Sequence, residues 1–317
     1  MLPTTYVNSP ESHVRVTNCP DSISGVTAIQ SVTLNRPDKL NAITLNMIQD
    51  LMALFETFAV DERVKVVILT GAGHTFSARI DLRMDTSQMK NSSPLSEMRD
   101  PGGSLALAMF NCCKPVIVAY NGLSVGIGMT STLAAGIRIA PHKASFGFPF
   151  SRIGITMESC SSYFLPRMVG YSNATYPLTT GETYLAESSV LHGIFAELVS
   201  EPKEALPRAI EFAANIAGSV SLMAVHINRQ LMWRNPGSIE GAHIVDSPLL
   251  YDMFGGRWTT FEFKKAFFFF FFFEKRKPSF SDVLERNAPQ TYPWWNEVSV
   301  QTKANMKRIN GSGPTKL

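Results

Sequence analysis

Two short apolar runs, each stopped by glycine, constrain this chain more than any other feature. Val64-Lys-Val-Val-Ile-Leu-Thr70 ends on Gly71-Ala72-Gly73, and Val116-Ile-Val-Ala-Tyr120 bends at once through Asn121-Gly122. Both have strand length and β-branched content without a polar alternation, which marks strands buried on both faces. Residues 26–34 read as a further strand, closed by the turn cluster Asn35-Arg36-Pro37-Asp38. A helix capped by Asn41 follows, with Leu45, Ile48, Met52, Phe55 and Ala59 at three- and four-residue steps, and a second helix covers roughly 104–112. Strand and helix alternating through short links predict α/β layering.

The rest of the chain sets the organisation. Beyond Leu165 the strand signals fade, and 185–198, 203–218 and 221–234 read as helices broken near Gly193, Pro202 and Gly218. The expected division is an N-terminal tail over 1–25, a core over 26–215 and a helical region over 216–317, with a polar, mobile-looking segment leading to Pro101. At 317 residues, 45% apolar and 17% charged, the chain can bury a sizeable core. A net charge of +3, with no basic run longer than Lys275-Arg276-Lys277, argues against nucleic acid as a partner. Cys19, Cys112, Cys113 and Cys160 have neither CxxC nor disulfide-like spacing, which fits a reducing compartment and no metal site.

Segments that address or anchor a chain come next. The N-terminus has neither an apolar signal core nor an Arg-rich amphipathic pattern, and no apolar run approaches the roughly 20 residues of a membrane span. Thr315-Lys316-Leu317 resembles the Ser-Lys-Leu peroxisomal address, so the expected location is the peroxisome, through its import receptor, and otherwise the cytoplasm. Phe267–Phe273 would be apolar on every face of a helix. That suits burial in a subunit interface, membrane contact or an atypical insertion.

Chemistry concentrates between Lys114 and Leu165. Gly122, Gly126 and Gly128 let the backbone turn tightly and leave N–H groups free at a helix start, as an anion site requires. Gly122-Leu-Ser-Val-Gly126 also fits the nucleophile elbow of serine hydrolases, with Ser124 as nucleophile. Glu187 or Asp246 would be the acid and His192 or His226 the base, but no histidine follows Asp246, which strains the order. The glycine spacing does not fit a dinucleotide fingerprint. Glu158 is the one carboxylate of the stretch, in an apolar, small-residue setting.

Four segments in order carry a resemblance: LNRPDKLNAI (34–43), VVILTGAGHTFSARIDL (66–82), KPVIVAYNGLSVGIGM (114–129) and ASFGFPFSRIGITMESCSSYFLPRMVG (144–170). Together they resemble the crotonase (enoyl-CoA hydratase/isomerase) superfamily, nearest to fungal-like, peroxisomal-type Δ3,Δ2-enoyl-CoA isomerases. The resemblance covers about 26–215, and weakly the region to about 295. It implies repeated ββα units in a right-handed spiral with a helical C-terminal region, and assembly as a homotrimer or dimer of trimers.

It further implies that two backbone N–H groups stabilise a thioester enolate, at Ile80 in the A-G-x-D-like segment and at Ile127 in the glycine turn. Arg36, Lys39, Ala78 and Gly126 fall where the family approaches coenzyme A, which enters as part of the substrate, with no other cofactor. Asp81 would hold its loop by accepting backbone N–H bonds. Arg79 departs from the family's usual Gly: a left-handed backbone there would cost about 1 kcal/mol, or the side chain would face the coenzyme A phosphates.

Family hydratases activate water with two glutamates, and those places are held here by Thr130 and Phe150. The isomerase type carries one glutamate further on, and Met157-Glu-Ser-Cys-Ser-Ser-Tyr163 resembles its P-E-G-x-S-S-Y context. A double-bond shift removes a proton from C2 and returns one to C4, which one carboxylate can do if water is kept out. Phe150, Ile153, Ile155 and Met157 are expected to wall Glu158 with apolar surface. Alternatively its carboxylate faces the start of the helix that follows. The leading expectation is a 3-enoyl-CoA to trans-2-enoyl-CoA isomerase using Glu158. Alternatives are a hydratase or dual hydratase/isomerase in fatty-acid or secondary metabolism, a catalytically silent trimer suggested by Arg79 and the Phe run, and the Ser124 hydrolase.

Overall fold

The computed structural model describes residues 2–81 and 98–255. Phe267–Phe273, the terminal tripeptide and most of the polar segment before Pro101 lie outside the described residues. In chain order the elements are β1 (Val14–Cys19), β2 (Ile29–Leu34), α1 (Leu45–Val60), β3 (Val66–Gly71), β4 (Thr75–Ser77), α2 (Pro101–Asn111), β5 (Val116–Ala119) and β6 (Leu123–Val125). Then come α3 (Ile127–Thr130), β7 (Ile137–Pro141), β8 (Ser145–Gly147), α4 (Phe150–Ile153), α5 (Ser161–Val169), α6 (Tyr171–Thr180) and β9 (Thr183–Leu185). Last are β10 (Glu197–Val199), α7 (Ala205–Ser219), α8 (Leu222–Trp233) and α9 (Ile239–Gly255).

The main sheet runs β1-β2-β3-β5-β7-β10, parallel except where β1 joins β2. A second sheet runs β4-β6-β8-β9. The chain leaves β3 for β4, β5 for β6 and β7 for β8, crossing from the first sheet to the second each time, and this repeat is the ββα spiral. Glycine makes the crossings tight. A Cβ on Gly71 would lie 2.7 Å from the Thr75 carbonyl, and one on Gly122 would collide with the His74 carbonyl. Phe76, Tyr120 and Phe146 fill the turn region edge to face, with ring centroids 4.7 and 4.9 Å from Tyr120. Each such fully buried ring contributes on the order of 1.5–3 kcal/mol.

Several expectations are corrected. Residues 1–25 are more than a tail, because β1 forms an edge of the main sheet in full register with β2. The residues before it are tied down where Tyr6 donates to Asp61 at 2.9 Å and Arg63 donates to the Pro3 carbonyl at 2.7 Å. Thr44, not Asn41, caps α1, accepting from Met47 N–H at 3.2 Å. Asn41 instead is fully buried and latches the Thr75 carbonyl at 2.6 Å and the Arg36 N–H at 2.8 Å. The helix expected over 185–198 is β9, a 3-10 turn at Ser189–Leu191 and β10. Gly193 has φ +97 there, and the Met168 carbonyl lies 2.6 Å from where a Cβ would stand.

The chain divides into two compact units at Gly218 and Ser219. The first passes residue 215 because α7 is uninterrupted, laying Ala205, Ala209 and Ala213 on Ile68, Ile117 and Ile139 of the main sheet. In the second unit α8 and α9 bury Met223, Ile227 and Leu249 together. Among the described residues no single helix is long and apolar enough to cross a membrane.

Candidate active site

The geometry around Glu158 begins with the backbone that presents it. The loop after α4 contains Ser159 and Cys160, both left-handed at φ +55. Non-glycine residues in this region cost roughly 1–2 kcal/mol each, so other bonds must hold the turn. They do: the Asp100 carboxylate accepts the Ser159 N–H at 3.2 Å, and the Glu158 carbonyl accepts the Ser161 N–H at 3.0 Å and its hydroxyl at 2.6 Å. Asp100 is also the cap of α2, accepting the Gly103 N–H at 2.5 Å. The head of one helix and the approach to another are thereby pinned together.

The side chain of Glu158 reaches α3, and the start of α5 has no side-chain cap. Thr130 Oγ1 donates to Glu158 Oε1 and Ser159 Oγ donates to Oε2. Gly102, in the first turn of α2, has no room for a side chain: a Cβ there would strike Glu158 Oε2 and Ser159 Oγ. Burial raises the proton affinity of Glu158 above the ordinary carboxylate value, the Ser159 and Thr130 hydroxyls oppose that, and the Asp100 charge adds to it. The expected apolar wall is only partly present. Phe150 is buried, but Ile153 and Ile155 are 62% and 53% exposed, so backbone and hydroxyl-bearing residues shield Glu158 instead.

The two candidate N–H donors leave the second sheet together. β4 and β6 are parallel with Ser77 opposite Ser124, and Ile80 and Ile127 each lie three residues beyond that pair. Gly128 seats directly on Ser77, its virtual Cβ 2.6 Å from the serine Cβ, so α3 presses against the end of β4. Ile80 bridges Ile43 through its neighbours, the Arg79 carbonyl accepting from Ile43 N–H at 3.0 Å and the Asp81 N–H donating to the Ile43 carbonyl at 2.8 Å. Strand alternation therefore turns the Ile80 N–H away from Ile43. Ile127 is the first residue of α3, where an N–H has no intrahelical acceptor. Thr130 ends the same turn, about 4.5 Å further along the axis, so its bond to Glu158 brings the carboxylate beside α3.

The remaining sequence candidates fall as follows. Arg36 does not project freely: its Nη1 donates to the Ala42 carbonyl at 2.6 Å and to Asp81 Oδ2 at 3.0 Å, with 14% of the side chain exposed. Asp81 thus accepts from the Arg36 guanidinium. Lys39 is exposed on a 3-10 turn over Pro37–Lys39, and Ala78 donates its N–H to the Leu40 carbonyl at 3.0 Å. Gly126, at φ +57, donates to the Gly147 carbonyl at 3.0 Å. Arg79 is exposed and is not among the residues with positive φ, so it carries no left-handed strain.

Ser124 is fully buried with no partner for its hydroxyl, Glu187 pairs with Lys143, and His192 is exposed. No nucleophile elbow is formed. Among the described residues no group of three His, Cys, Asp or Glu is placed to hold a metal ion. Sequence reasoning passed over Ser159 and Gly102, and it treated Thr130 only as an absent glutamate. The hydroxyl-rich run Ser159-Cys-Ser-Ser162 beside a single carboxylate points to Ser159, and no signal in the sequence points to Gly102 or to the contact of Thr130 with Glu158.

Comparison with known proteins agrees with this architecture. Residues 25–283 match the family model described as enoyl-CoA hydratase/isomerase. Enoyl-CoA hydratase AFT3-1 of Alternaria alternata is 40% identical over 260 residues, which cover 82% of this chain and 85% of that one. Enoyl-CoA delta isomerase 2 of Rattus norvegicus is 33% identical over 177 residues, 55% of this chain and 44% of that one. The crystal structure of an enoyl-CoA hydratase from Bacillus anthracis, 24% identical, superposes with a TM-score of 0.69 over 85% of this chain and 99% of its own, a likeness of fold.

Proposed function

The chain belongs to the enoyl-CoA hydratase/isomerase family, and from that premise we propose that it moves the double bond of a 3-enoyl-CoA to the 2-position. The Ile80 and Ile127 N–H groups hold the thioester oxygen and take up the charge that develops there. Glu158 removes a C2 proton, giving a dienolate whose oxygen sits on the two donors, and the same carboxyl returns a proton at C4. The C3–C4 double bond is thereby replaced by one between C2 and C3, with no net gain or loss of atoms. One backbone donor of this kind contributes about 10²–10³ in rate, and a positioned base about 10²–10⁴.

The observation that carries this reading is the shielded carboxylate of Glu158 with a hydroxyl, Thr130, in contact with it at a place where family hydratases have a glutamate. Phe150 removes the second. Incubation with a 3-enoyl-CoA should produce the absorbance of the conjugated 2-enoyl thioester, and Glu158→Gln should lower kcat by about 10²–10⁴ with little change in KM. No conjugated product from the wild type, or an undiminished rate in the variant, removes Glu158 from the reaction.

A second reading, hydration of a 2-enoyl-CoA, is favoured by the name of the 40% identical Alternaria relative. Loss of the conjugated absorbance on adding trans-2-enoyl-CoA would establish it. We also propose peroxisomal import through Thr315-Lys316-Leu317, which a fluorescent fusion tests: deleting the tripeptide should leave the fusion in the cytosol.

A further inference from the structure

A threonine hydroxyl has one hydrogen to donate, and that of Thr130 stands between two acceptors. Its Oγ1 touches Glu158 Oε1 and lies 3.1 Å from the carbonyl oxygen of Gly126, one turn earlier. The Gly126 carbonyl also accepts the N–H groups of Met129 at 2.8 Å and Thr130 at 2.9 Å. It belongs to the same peptide group as the Ile127 N–H. A hydrogen bond received at a peptide oxygen polarises that peptide and strengthens its N–H as a donor.

We infer that Thr130 is a positioning residue that links the state of Glu158 to the donor strength of Ile127, an inference resting on the function proposed above. While Glu158 is ionised, its carboxylate is the stronger acceptor and takes the Thr130 hydrogen. When Glu158 receives the C2 proton, its own O–H donates to Thr130 Oγ1, and the threonine hydroxyl rotates to the Gly126 carbonyl. No O–H bond of Thr130 breaks in this exchange. The Ile127 N–H is thus strongest while the base holds the proton, which is when the thioester oxygen carries the dienolate charge.

The charged and titratable groups that face Glu158 among the described residues enter the test. Asp100, at the head of α2, opposes its ionisation, and the Cys160 thiol beside it is itself pushed up by burial. From α3 only the neutral Thr130 bonds to it, and from its own loop Ser159.

The probe is butanoyl-CoA labelled with 13C at the thioester carbonyl, which binds without reacting. Its bound carbonyl stretch is followed by infrared difference spectroscopy across pH in wild type, Glu158→Gln, Thr130→Val and Thr130→Ser. The wild type should show a step to lower frequency as pH falls through the Glu158 titration, and Glu158→Gln should show none. Thr130→Val, which keeps the shape and removes the hydroxyl, should lose at least half of the step, and Thr130→Ser should restore it. A step retained by more than half in Thr130→Val, absent from the wild type, or equally reduced in Thr130→Ser overturns the inference. Because this readout needs no turnover, a wild type that forms no conjugated product refutes the isomerase reading separately.

Discussion

Glu158 binds its proton more tightly in the folded chain than in the unfolded one, because burial outweighs the two hydroxyls that bond it. The sign of the stability effect follows. Below the ordinary carboxylate range both states are protonated, and as pH rises towards the raised folded value the unfolded state ionises first, so stability falls. Above that value the loss is constant. Glu158→Gln should therefore melt at a higher temperature than the wild type at pH 8, with the gap closing as the pH is lowered past the Glu158 transition. Equal melting curves at every pH would show that the carboxylate sits there without penalty. At this scale the glutamate itself is legible in the sequence, through Met157-Glu-Ser-Cys-Ser-Ser-Tyr163. Its partner is not: Thr130 is 28 residues away, and nothing in spacing says which hydroxyl a loop will fold onto. The Arg36–Asp81 pair, 45 residues apart, is hidden for the same reason.

Among the elements, α2 has the most direct hold on the site. Gly102 in a helix is ordinarily worse than Ala by up to about 1 kcal/mol, yet a methyl group here would occupy the space of Glu158 Oε2 and Ser159 Oγ. On the function proposed above, Gly102→Ala should lower kcat by at least about tenfold by displacing Glu158, measured in the 3-enoyl-CoA assay, and unchanged kinetics would show that the first turn of α2 can yield. The helices with strong periodicity, α1 and α7, and the buried strands β3 and β5 are legible because their patterns are local. The region of β9 and β10 is misread because its apolar residues, among them Leu191, Ile194 and Val199, fall at helical steps but are buried from an irregular path broken at left-handed Gly193. Tertiary packing decides between the two readings, as it does for Asn41, which has the chemistry of a helix cap and is used as a latch.

In the first unit as a whole, Arg138 joins segments that the sheet alone does not. It is buried, with Nε donating to the Ile194 carbonyl at 2.8 Å and Nη1 to the carbonyls of Ala135 at 2.6 Å and Leu133 at 3.3 Å. Arg138→Leu would leave these buried carbonyls without that partner at about 1–3 kcal/mol each. A loss of at least about 3 kcal/mol should appear as a lower urea midpoint at an unchanged slope, whereas a loss under 1 kcal/mol would show that water or the backbone replaces the guanidinium. The two-sheet spiral is legible only through the resemblance of four segments, since strands as short as β4, β6 and β8 leave almost no period to read. Their parallel pairing has a consequence for how the gene of such a protein tolerates change. Ile80 and Ile127 are set by counting residues from Ser77 and Ser124, as the jaws of a caliper are set by its scale. Exchanging either side chain leaves the backbone count alone, but inserting or deleting one residue before either position puts a different N–H at that jaw. On the function proposed above, these positions answer to length, not to spelling.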